Sequence, residues 1–247
     1  MKNKRQLMKS THHRAHRRGA GAGVFLRDAV FGANDGIVTT FAVVAGASGA
    51  HLSPTVIVIL GFANLVADGI SMGLGEYLGS KSEQQFYRGQ RAREIRELRL
   101  EPQQEEQEVR KVFRSWGFRG ERLERSIAVL KRHPKAWVDI MLNYELGIGD
   151  GKERTPARSG MVMFFAFVLA GFVPLLPILF GADRPFPFAV VLTIVALFTV
   201  GAVRVSFIPT RWWRAGLEML VVGAVAAASA YAVGALLGAL LAPSPLV

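Results

Sequence analysis

Between Pro54 and Ser80 the chain is apolar for long enough to cross a bilayer, yet Asn64, Asp68, Met72 and Glu76 recur there at a spacing of four. In a helix that spacing puts all four on one face. A carboxylate near the bilayer centre costs roughly 2.5 to 3.5 kcal/mol even on lenient insertion scales. The face that carries Asp68 and Glu76 must therefore meet protein or water rather than lipid. Two carboxylates beside a thioether point to a path for a cation.

Hydrophobic residues make up 51% of the sequence, while the net charge is +11. Those two properties belong to different surroundings, and their separation along the chain sets the fold class. The expectation is an all-α integral membrane protein with five transmembrane helices. The candidate spans are Asp28 to Ala50, Pro54 to Ser80, Ser159 to Phe180, Phe186 to Val203 and Trp213 to Leu241. Between the second and third lies a charged stretch, Lys81 to Arg158, with Phe113, Trp116, Leu123, Ile127, Leu130, Trp137 and Ile140 at helical spacing. It reads as a soluble helical module inserted into a membrane domain. The resulting division is a basic arm over 1–24, two transmembrane helices over 25–80, the inserted module over 81–154 and three further transmembrane helices over 155–247.

Basic residues in short loops stay on the cytosolic side. Of the 30 Lys and Arg, only Arg184 falls on the opposite side from the N-terminus and the inserted module. Both of those are expected in the cytosol, with the turns near His51 and Asp183 and the C-terminus after Pro243 across the membrane. The arm, with His12, His13, His16, Arg14, Arg17 and Arg18, is read as an orienting segment that faces anionic lipid. A metal or nucleic-acid tail is the rival reading. The arm lacks the short apolar core and cleavage site of a removable signal. Cysteine is absent, which excludes disulfides, thiolate zinc sites and iron–sulfur clusters. A metal here is held by oxygen, imidazole or thioether sulfur.

The first span carries Asn34 and Asp35, with Gly32 and Gly36 one turn apart to admit a close helix. A short turn makes the first two spans antiparallel neighbours, so Asp35 joins Asp68, Met72 and Glu76 as a candidate pathway residue. A buried carboxylate that merely bonds a neighbouring helix is the alternative for Asp35, and apolar filling is the alternative for Met72. Asp28 and Glu76, nearer the cytosolic ends, are read as mouth residues in contact with water.

In the inserted module, Glu94 and Glu97, then Glu105 and Glu108, form two Glu-x-x-Glu pairs, and Met141 and Glu145 stand four apart. Residues three or four apart share a helical face. Pro102 separates the two glutamate pairs onto different helices, because proline suits a first helical turn and not an interior. Intermixed Arg93, Arg96, Arg99 and Arg110 fit an ordinary solvated surface equally well. A di-iron centre of the ferritin type needs Glu-x-x-His, which is missing.

These residues carry a resemblance to the vacuolar iron transporter family. The match rests on DGIVTTFAVVAG in the first span, ADGISMGLGEYLGSKSE in the second and its exit, VPLLPILF in the third, and the glutamate and methionine spacing of the inserted module. The resemblance implies five transmembrane helices, a cytosolic three-helix metal-binding domain, and a homodimer with the translocation path at the subunit interface. It implies metal ligands at Glu94, Glu97, Glu105, Glu108, Met141 and Glu145, and pathway residues at Asp35 and Met72 with Glu76 close by.

Ferrous iron accepts carboxylate oxygen and tolerates a thioether, whereas magnesium and calcium gain little from sulfur. The expected function is proton-coupled export of Fe²⁺ from the cytosol: the module captures the ion, Met72 and Asp35 hold it partway, and a returning proton releases it. The chain is expected to be a transporter and not an enzyme, with Fe²⁺ as bound substrate, Mn²⁺, Co²⁺ or Zn²⁺ as further ions at the module, and no prosthetic group or nucleic-acid partner. Transport of Mn²⁺ by the same machinery is one rival; a membrane-anchored iron-binding or ferroxidase protein is another. A bacterial plasma membrane is the first expectation for its location and a vacuole-like membrane the second. Pro174 and Pro177 suggest a kink in the third span, Glu218 is expected to snorkel toward or pair with Arg214, and Trp212 and Trp213 look like interfacial anchors.

Overall fold

The computed structural model describes residues 2–144, 147, 155–205 and 210–241, with side chains in the first helix given at 23 and from 25 onward. Among the described residues the chain is helical throughout and contains no strand. The elements are α1 (Lys2–Gly49), α2 (Pro54–Leu100), α3 (Pro102–Ser115), α4 (Gly120–Lys131), α5 (Pro134–Tyr144), α6 (Pro156–Gly171), α7 (Leu176–Leu179), α8 (Pro185–Arg204) and α9 (Trp212–Leu241). Five stretches are long and apolar enough to cross a membrane: Phe25–Gly49, Pro54–Leu100, Pro156–Leu179, Pro185–Arg204 and Trp212–Leu241. Contacts divide the chain into two units, Met1–Leu78 with Thr155–Val247, and Gly79–Arg154.

In the first unit α1 packs along α6, α8 and α9. Small residues make that possible. A Cβ on Gly36 would stand 2.3 Å from the Phe167 carbonyl oxygen of α6, and one on Gly234 of α9 would stand 1.9 Å from the Gly46 carbonyl oxygen of α1. Backbone cannot yield at such distances, so glycine is what permits this contact. Asp28, Gly32, Gly36, Thr40 and Val44 form one buried stripe along α1. Beyond it, Phe41, Val44, Ile57, Leu175, Ile178 and Ala189 form an apolar core. The outward faces stay greasy, as Val221, Val225, Leu236 and Leu240 on α9 illustrate. A surface of this kind is a liability in water and the normal state against lipid.

Three details bear on the sequence reading. Asp28 is only 1% exposed, not a solvated mouth residue, because it begins the stripe that α1 turns inward. The third span is interrupted where the prolines stand: α6 ends at Gly171 and a 3₁₀ turn, Val173–Leu175, precedes α7. Pro174 and Pro177 have no backbone N–H to continue the helical ladder. Glu218 accepts a bond from Arg204 at 3.4 Å, on the neighbouring helix, while Arg214 lies over the Trp213 ring.

The second unit is built from the later part of α2 with α3, α4 and α5. Its core joins Val109, Phe113, Leu123, Ile127, Leu130, Trp137 and Met141. Most of the apolar positions at helical spacing in the sequence converge there. Trp116 remains 42% exposed and stands edge-on to Tyr144 at 4.6 Å. Surface ion pairs Arg110–Glu106 and Arg110–Glu124 tie α3 to itself and to α4.

Candidate metal-binding site and membrane stripe

The turn between α2 and α3 is a single residue, Glu101. Its backbone N–H donates to the Glu97 carbonyl at 2.7 Å, and its own carbonyl accepts from the Glu105 N–H at 3.2 Å. Pro102 at the start of α3 gives up a backbone donor that has no intrahelical partner at that position anyway. The last turn of α2 is thereby held against the first turn of α3.

Glu94, Glu97 and Glu105 meet at this corner, and each offers a carboxylate oxygen within 4.8 Å of the other two. Glu94 and Glu105 are buried and Glu97 half-buried. Three carboxylates so close repel one another, and a divalent cation among them turns that repulsion into attraction. Glu97 also accepts from the Arg93 Nε at 2.9 Å. The neighbouring Glu106 is already engaged: Lys131, and then Arg110, hold its carboxyl below the ordinary carboxylate range. Adjacent glutamates in the sequence thus have different tasks, one in the trio and one in a salt-bridge network.

The other expected ligands are placed differently. Glu108 is half-buried on α3, outside the trio, and accepts from the Gln104 amide at 3.4 Å. Met141 is 0% exposed and belongs to the apolar core with Val109 and Trp137. Glu145 lies outside the described residues.

In the first unit, α2 turns Ile57, Gly61, Leu65, Gly69 and Gly73 inward, and Asn64, Asp68, Met72 and Glu76 lie one position back, half-buried along the edge of that face. Asp35, half-buried on α1, is close enough to Asp68 for their carboxyls to interact electrostatically. The Asp35 backbone carbonyl accepts from the Thr39 hydroxyl at 2.8 Å. The buried Asn34 Oδ1, Asn64 Nδ2 and Thr40 Oγ1 have no hydrogen-bond partner among the described residues. Thr40 and Asp28 were not singled out as buried groups from the sequence. The signal was present, because Asp28, Gly32, Gly36 and Thr40 recur every four residues.

Residues 26–235 match the model of the VIT family. The chain is 34% identical over 212 residues to "Vacuolar iron transporter 1" of Arabidopsis thaliana, covering 85% of each chain. It is 34% identical over 230 residues to "Vacuolar iron transporter 2" of Oryza sativa subsp. japonica, covering 92% of each. With "Vacuolar iron transporter" of Toxoplasma gondii it shares 35% identity over 224 residues, 86% of this chain and 74% of the relative. A family match across most of the chain and five membrane-length helices agree, and this multi-pass membrane protein belongs to the VIT family.

Proposed function

We propose that the protein moves ferrous iron out of the cytosol across a membrane in exchange for protons. The observation that carries this reading is that Asp35 on α1 and Asp68 on α2, in two membrane-length helices, are near enough to interact electrostatically, with Met72 one helical turn from Asp68. Carboxylates retained at such a cost serve ions and protons. The Glu94, Glu97 and Glu105 corner captures the metal first, and Asp35, Met72, Asp68 and Glu76 then pass it along. A proton taken up by Asp35 weakens its hold and releases the ion. Glu108, Met141 and Glu145 complete the capture site when metal is bound.

The relatives' names, all of iron transporters, support iron as the cargo. The ligand set admits Mn²⁺ as well, since oxygen and thioether donors do not separate the two ions sharply. A second copy of the chain completes the path. Its support is the outward apolar row Val66, Ile70, Leu74 and Leu78 beside the polar stripe on α2. The word "vacuolar" in the relatives' names favours a vacuole-like membrane over a bacterial plasma membrane, with the Gly79–Arg154 unit in the cytosol.

The test is uptake of Fe²⁺, Mn²⁺, Co²⁺ and Mg²⁺ into sealed proteoliposomes with an imposed pH gradient, for wild type, Asp35→Asn and Glu97→Ala. Fe²⁺ flux lost in the first variant and weakened in the second is expected. Metal binding that depends on Glu97 without flux of any ion would favour the anchored binding protein instead.

A further inference from the structure

A cleft of about 760 Å³ opens within the Gly79–Arg154 unit, between α2, α3 and α5. Its floor is apolar, made by Ile95, Leu98, Trp137 and Val138. Its rim is basic: Arg91, Arg99, Lys131 and Lys135 against one acid, Glu106. Two of these cations are occupied, Lys131 by Glu106 at 2.5 Å and Arg91 by Asp139. Arg99 and Lys135 are exposed and enter no ion pair among the described residues. Trp137 is 3% exposed and forms part of that apolar floor.

We propose that this cleft binds a small organic anion with a flat apolar body, of the nucleotide class. The volume falls in the range of small-molecule sites, which are mostly apolar with a few placed polar groups. The planar body covers Leu98 and Val138 on the apolar floor. The phosphate lies between Arg99, whose guanidinium suits bidentate phosphate recognition, and Lys135. A bare inorganic anion would leave the apolar floor unused, and a neutral apolar molecule would leave the two cations unused.

The cleft shares its walls with the carboxylate corner. Ile95 and Leu98 follow Glu94 and Glu97 on α2, and Pro102 and Glu106 flank Glu105 on α3. An occupant wedged between α2 and α3 bears on the separation of Glu97 from Glu105, so anion and metal affinities are coupled, reciprocally. This coupling rests on the metal-capture reading; anion binding itself does not.

The experiment is calorimetric titration of the full chain in lipid nanodiscs, free of metal, with AMP, inorganic phosphate and adenosine. AMP is expected to saturate one site per chain, with phosphate and adenosine at least tenfold weaker. The double variant Arg99→Glu/Lys135→Glu is expected to lower AMP affinity at least tenfold and Lys135→Ala about threefold, while Arg114→Glu, an exposed change outside the cleft, leaves it unaltered. No saturable AMP binding, phosphate binding as tight as AMP, or binding indifferent to both cleft variants would overturn the site. Mn²⁺ titration with and without AMP tests the coupling. An unchanged Mn²⁺ affinity overturns the coupling and leaves the cleft standing, and absence of Mn²⁺ binding in either condition counts against metal capture alone.

Discussion

Glu94 on α2 and Glu105 on α3 are each 5% exposed and present carboxylate oxygens within 4.8 Å of one another, across the turn at Glu101. Buried acids are rare unless paired or coordinating a cation. Their convergence, with Glu97 as the third member, is the local geometry on which the proposed metal capture rests.

Removing one member opens the corner. Glu97→Ala is expected to lower Mn²⁺ or Fe²⁺ affinity of the purified protein about tenfold or more, which corresponds to about 1.4 kcal/mol. Glu121→Ala, on an exposed ion pair of α4, is expected to change it little. Isothermal titration of both variants makes the comparison, and equal affinities would remove Glu97 from the site.

Met141 packs in the core of its unit, where it is fully buried, and its proposed ligand role has to be separated from that packing. Met141→Ala is expected to destabilise that core by about 2 to 5 kcal/mol. Met141→Leu keeps the volume and should cost less than about 1.5 kcal/mol. If the sulfur is a ligand, the leucine variant keeps the fold and loses affinity for Fe²⁺ more than for Mg²⁺. Thermal unfolding read beside metal titration distinguishes packing from ligation.

Helix packing in the first unit predicts a contrast between two glycines. Gly234→Ala drives a methyl into the Gly46 backbone, whereas Gly75 has nothing within 4 Å of an added Cβ. The first change is expected to destabilise by about 1 to 3 kcal/mol or more, as overpacking does, and Gly75→Ala to be close to neutral. Thermal aggregation in detergent reports both.

Glu124 is expected to contribute modestly to the acid sensitivity of the second unit, because its bond to Arg110 holds its carboxyl below the usual range. A carboxylate with a depressed folded pKa stabilises the protein above its unfolded pKa, and that contribution disappears as pH falls through the folded value. Glu124→Gln is therefore expected to lower stability slightly at neutral pH and to leave it unaltered at pH low enough to protonate the wild-type group. Circular dichroism across an acid titration checks the convergence of the two curves.

Much of this architecture is written in local pattern. Runs of apolar residues marked the five helices, and Pro102 marked the α2–α3 corner because proline can start a helix but not continue one. Tertiary register is less visible. Nothing in the spacing of Glu218 indicates that Arg204 on another helix, rather than Arg214 on its own, would face it. The burial of Asp28 depends on which side of α1 meets α6, although the small residues at Gly32 and Gly36 mark that side. Met141 shows a further limit: the period that places a ligand on an inner face also places a core residue there.

Coupled transport itself is tested most directly by proton counterflow. In proteoliposomes with a trapped pH dye and no initial pH gradient, an inward Fe²⁺ gradient is expected to drive protons out and alkalinise the lumen in wild type. Asp35→Asn is expected to abolish both the Fe²⁺ entry and the pH change. Fe²⁺ entry with an unchanged luminal pH, or an intact pH response in Asp35→Asn, would contradict the proposed exchange.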